Sequence, residues 1–238
     1  MKRTLAYIVI TGMLLMSSCL VSSLHPFYKA KDKKYDAAMV GTWIDGDDCI
    51  WNIQPNMISE DFLESEVHDG SYKVTYYEDE NRISILTSTL FQLNDVDYVD
   101  FMPDPNEDHS NSDMTSFHHI PVHTLARVQY CKDSILLYWY GDEWLNELIA
   151  QNRIRIKHET VSGSLYDRQL LTASTDELQK FIKKYANDPK TVEEIENIFA
   201  RGYKDDQEES GAFLKLKPYI GPLPEKKARQ VEPSHKIL

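Results

Sequence analysis

Three neighbouring histidines, His118, His119 and His123, are the residues of this 238-residue chain whose type and spacing first suggest chemistry. With Asp100 as a further ligand they would serve a metal-assisted hydrolase, in which an ion held by imidazoles activates water. Spacing weighs against this. On a strand, His119 and His123 share a face but stand about 13 Å apart, too far for one ion unless Pro121 bends the chain between them. The competing interpretation is a polar strand edge at which Pro121 blocks further pairing. Asp104-Pro105-Asn106-Glu107-Asp108 alternates oxygen ligands like a calcium loop, but His109 stands where such a loop needs glycine. Nucleophilic catalysis has little support. There is no Gly-x-Ser-x-Gly elbow, and Ser162-Gly163-Ser164 has no adjacent base. Cys49 follows Asp47 and Asp48, whose charge disfavours a reactive thiolate. The nine glycines do not cluster into a phosphate-cradling loop. The balance points away from an enzyme, and no cofactor is expected.

Binding is better represented. Trp43, Trp51, Tyr72, Tyr76, Tyr98 and Trp139 fall in stretches with strand-like alternation, where they either line a cavity for a small apolar ligand or fill an ordinary core. Gly41-Thr42-Trp43, opening the first strand of an antiparallel series, resembles the Gly-x-Trp entry of the lipocalins. That resemblance implies a barrel plugged at one end by the Trp and holding an apolar ligand. The later motifs of the lipocalins are not recognisable here.

The first residues carry an address. Lys2 and Arg3 precede an apolar run from Leu5 to Met16, and the small residues Ser17 and Ser18 precede Cys19. This is the pattern of a secretory signal, too short for a permanent span. Met16-Ser17-Ser18-Cys19 resembles the lipobox of bacterial lipoproteins, with Met where Leu is commoner. The resemblance implies a signal peptide over 1–18, a diacylglycerol on Cys19 and a place in the bacterial cell envelope. Leu20, where Asp would imply retention at the inner membrane, favours the outer membrane. Without Lys2 and Arg3 the formal charge moves from −12 to −14, with 38 acidic residues against 24 basic ones. So acidic a body repels phosphate backbones, which excludes nucleic acid as a partner and leaves membrane attachment to the lipid.

The elements that must position these residues are mainly β, with C-terminal helices: an antiparallel barrel or strongly curved sheet. Residues 19–38, mixed and without period, read as a lipid-anchored tether. Residues 39–203 read as the globular domain. Within it Tyr72, Val74 and Tyr76 alternate with polar partners, 83–93 and 96–102 flank an Asn94-Asp95 turn, and 122–130 and 134–140 flank Lys132-Asp133. Ile154 and Ile156 suggest a further strand. Asp142 starts a short helix, while Ser174 with Glu177 and Thr191 with Glu194 form capping boxes for two more. Residues 204–238, with four of the ten prolines, read as a mostly disordered tail whose apolar island, 213–220, docks on the domain or on a partner. Strand register groups Cys49 with Trp51 and Ile53, and Cys131 with Arg127 and Gln129, which favours separate thiols over a disulfide. The function expected is a non-enzymatic envelope lipoprotein that binds a small apolar ligand or a protein partner. The alternatives are the hydrolase and a structural subunit of an envelope complex.

Overall fold

The computed structural model describes residues 20–59, 66–107, 120–162, 167–186 and 213–224. Eight antiparallel strands close into a barrel. They are β2 (Gly41–Ile44), β3 (Ile50–Ser59), β4 (Glu66–Tyr77), β5 (Ile83–Leu93), β6 (Val96–Pro103), β7 (His123–Cys131), β8 (Ser134–Trp139) and β11 (Phe213–Pro218). The first seven form a meander, each paired with the next. The meander does not close on itself. β11 slots between β8 and β2, pairing antiparallel with both. The short strand β1 (Ser22–Ser23) continues along the start of β7 where β8 has ended, and joins β10 (Asp167–Leu171) and β9 (His158–Ser162) in a side sheet.

Local chemistry explains the turns. Asn94 and Asp95 take positive φ, 48° and 62°, which gives a two-residue turn whose twist matches its flanking strands. Gly41, at φ 152°, lets the Trp43 indole lie back over its backbone, where a Cβ would sit 3.4 Å from the ring nitrogen. From there Trp43 Nε1 donates to the Met39 carbonyl at 3.1 Å.

Two apolar clusters share the barrel wall. The inner one fills the barrel: Ile53, Tyr72, Val74, Leu90, Val99, Ala126, Ile135, Leu137 and Leu216 are all buried there, with Met39 at one end. The outer one lies between the wall and two helices, α1 (Asp142–Ala150) and α2 (Thr175–Phe181). There Phe91, Tyr98 and Leu125 face outward to meet Trp144, Leu145, Leu148, Leu178 and Phe181. Strands that serve both clusters are apolar on both faces. The Ser174–Glu177 capping box is present, with Glu177 Oε2 accepting from the Ser174 N–H at 2.9 Å.

Three expectations are corrected. Residues 20–38 are not a loose tether. Leu20 already bridges Gly141, Val21 and Phe27 are buried, and the Lys34 N–H donates to the Leu90 carbonyl at 2.9 Å. This strap is held by a few scattered buried residues, Val21 and Phe27 in the outer cluster, and by backbone bonds to the wall, so it needs no periodicity. The 204–238 segment contributes β11 to the barrel, so the domain extends beyond 203. Ile154 and Ile156 lie outside any strand, which starts only at His158. The Thr191–Glu194 helix lies outside the described residues, as does Cys19.

Candidate ligand site at the barrel mouth

The meander's alternation defines two ends. At the base, the strap runs beneath the strands. Asp36 engages the Tyr72 hydroxyl through both its N–H (2.7 Å) and its carbonyl (3.1 Å), and Tyr35 stacks on the Tyr72 ring at 5.4 Å. Burial among these groups pushes the Tyr72 hydroxyl up to about 12. Met39 is fully buried here, and Trp43 leans toward it. The base is therefore plugged.

The opposite end carries the 45–49 and 78–82 hairpins. Trp51 and Tyr76 lie directly opposite each other in register, with ring centroids 4.7 Å apart. Phe101 stands edge-on to Trp51 at 6.2 Å and packs on Trp139 at 5.1 Å. Tyr76 and Trp139 are only partly buried, so this run of four rings meets solvent. Asp45 fixes the Trp51 indole. Its Oδ2 accepts from Trp51 Nε1 at 2.9 Å, while its Oδ1 accepts the Cys49 and Asp47 N–H groups. Desolvation raises the buried Cys49 thiol, with Asp45, Asp47 and Glu78 adding to the rise, so this thiol is a poor nucleophile. This end of the barrel is thus capped by four mutually packed rings, two of them partly exposed, beside a hairpin that carries Asp45 and Asp47.

The six aromatic candidates therefore separate. Trp51, Tyr76 and Trp139 meet at the mouth, while Tyr72 and Trp43 serve the base. Tyr98 faces outward, stacked 5.6 Å from Phe91 in the outer core, because it lies one residue out of phase with the inward-facing Val99 and Phe101. Phe101 and Asp45 were missed. Phe101 carried a signal, being in phase with Val99, whereas Asp45 looked like any turn aspartate.

His118 and His119 lie outside the described residues. Asp100 and His123 do come together on the outer wall, with Asp100 Oδ1 2.7 Å from His123 Nδ1. The Phe27 N–H donates to Asp100 Oδ2 at 2.9 Å, and the carboxylate side chain is 1% exposed. Burial raises Asp100 despite these partners. Both carboxylate oxygens are engaged in fastening the strap. Among the described residues no three metal-ligating side chains converge. Asp104, from the calcium-like loop, is buried and accepts from the Asn106 N–H and the Thr87 hydroxyl. Cys49 and Cys131 are separate free thiols, one buried and one exposed.

Comparison with protein-family models, curated proteins and solved structures gave no match.

Proposed function

We propose that this protein is a lipid-anchored binding module of the bacterial cell envelope, held at the outer membrane through Cys19, and that it takes a small apolar ligand at the barrel mouth without transforming it. The observation that supports binding is the run Tyr76–Trp51–Phe101–Trp139. Two large rings, Tyr76 and Trp139, left partly in water over two buried ones at one end of a barrel plugged at the other are the arrangement a ligand would complete. The anchor rests on the lipobox residues and on a body too acidic to hold an anionic surface by charge.

Two measurements test the two halves. Titrating the purified protein with naphthalene should quench tryptophan emission saturably, and Trp139→Ala should weaken that binding at least fivefold. A linear, unsaturable response would overturn the binding function. Mass spectrometry of protein from its native host should show diacylglycerol on Cys19, and Cys19→Ala should move the protein from the membrane to the soluble fraction. An unmodified Cys19 would overturn the anchor.

A further inference from the structure

The chain is strongly acidic, but one groove on its surface is not. It lies outside the barrel, between residues 153–157 and the end of α2, which runs on into the π-helical turn Ile182–Ala186. The Tyr185 hydroxyl donates to the Arg153 carbonyl at 2.6 Å and so joins the two walls. The groove has a volume of about 270 Å³. Its apolar lining is Ile154, Ile156, Phe181 and Tyr185, which belong to the outer cluster or pack on it. Ile156 and Tyr185 are only partly buried, so the outer cluster meets water here.

The charges around this floor are mostly of one sign. Arg155, Lys180 and Lys184 line the groove and are exposed, while the acid among its lining residues is Glu177. Glu177 is already engaged. It accepts from the Ser174 N–H and hydroxyl, and its other oxygen lies 3.5 Å from Lys157 Nζ. Asp176, one turn before Lys180, is bonded to Lys29. Lys184 Nζ lies over the Tyr185 ring, 4.8 Å from its centroid. Among the described residues, none of Arg155, Lys180 and Lys184 is in an ion pair. The acidity of the whole chain does not cancel this surplus. Screening over about 8 Å in physiological salt makes a small anion respond to the charges nearest it rather than to the sum.

An apolar floor and unpaired cations together select an amphiphile. An uncharged ligand would leave the cations unused, and a purely hydrophilic anion would leave the floor wet. The volume stands just below the usual range for small-ligand sites, about 300–1,000 Å³, which suits one short alkyl chain. We propose that this groove binds a single-chain amphiphile of the fatty-acid class. Its carboxylate meets Arg155, Lys180 and Lys184, and its chain lies along Ile156, Phe181 and Tyr185. The site is separate from the barrel mouth and does not rest on the function proposed for it.

Calorimetric titration of the full chain carrying Cys19→Ala, in which no attached acyl chain competes, tests this with decanoate, acetate and decyltrimethylammonium, all kept below micelle formation. Decanoate should bind saturably. Acetate should bind about a hundredfold more weakly for want of the chain, and decyltrimethylammonium about tenfold more weakly because its head has the wrong sign. Lys180→Ala combined with Lys184→Ala should weaken decanoate about tenfold. That variant should keep the parent's urea midpoint, since both side chains are exposed. Trp139→Ala, at the barrel mouth, should leave decanoate binding unchanged. Acetate binding as tightly as decanoate would mean an ion site only, and decyltrimethylammonium binding as tightly would mean an apolar face without charge selection. Either result overturns the proposal. So does decanoate binding that Trp139→Ala abolishes and the lysine variant does not, which would assign the probe to the mouth. If decanoate does not bind at all, the proposal falls, and a lowered urea midpoint in the lysine variant would then give these cations to an acidic stretch of the chain itself, 193–196.

Discussion

At the scale of single residues, the outer wall turns a pattern suggestive of catalysis into a fastening. Asp100 and His123 are bonded to each other, and Asp100 also holds the backbone of Phe27, so a buried hydrogen-bonded pair joins β6, β7 and the strap. Removing one partner of such a pair leaves the other buried with an unmet hydrogen bond, which costs about 1–3 kcal/mol. His123→Ala should therefore lower unfolding stability in urea by about that amount, and Asp100→Asn combined with it should recover part of the loss. A His123→Ala protein as stable as the parent would remove the fastening role. This pairing was half legible. The alternation around 122–130 placed His123 on a strand, and Asp100 was singled out, but nothing in either stretch told that the two strands would be neighbours. The aromatic site was legible to the same degree. Period-2 spacing identified Trp51 and Tyr76 as inward, but Tyr98 lies beside a wall apolar on both sides, where alternation no longer distinguishes inside from outside.

At the scale of elements, β11 and α2 show what sequence patterns carry and what they omit. The capping box of α2 was readable because its chemistry is local: Ser174 and Glu177 are three residues apart. The Ser174 N–H and hydroxyl, with a smaller contribution from the Lys157 ammonium, lower the Glu177 carboxyl below its usual range. A depressed folded value means the contribution is present above the unfolded value, about 4.3, and disappears as pH falls through the folded one. The stability difference between the parent and Glu177→Gln should therefore be largest near neutrality and close to zero by about pH 3, as measured by urea midpoints across pH. An unchanged difference over that range would count against the box. β11 was not readable as a strand of the barrel, because its partners on β8 and β2 are more than seventy residues away in sequence and its flanks are rich in Pro and charge. Its Leu216 is fully buried in the inner cluster. Leu216→Ala should cost about 2–5 kcal/mol, whereas Lys217→Ala, exposed on the same strand, should cost little. Equal effects would mean that β11 is not part of the core.

At the scale of the whole molecule, one wall lies between the two apolar clusters, and the strap stitches helices and barrel together through Phe27, whose carbonyl accepts from Gln179 Nε2 at 3.2 Å. Neither cluster can lose its packing without exposing the wall of the other, so unfolding should be one transition. Variants keeping only Trp51, inside, or only Trp144, outside, should give coincident urea midpoints, and separated midpoints would show two independent units. The strap has a second consequence, which concerns reach. With Leu20 pinned against Gly141, only one peptide unit, under 4 Å long, lies between position 19 and the folded wall. A protein fastened to a bilayer at that position has no leash. With the lipid proposed for Cys19 in place, it would ride on the headgroups in a restricted set of orientations and meet only molecules that come to the surface or lie within it.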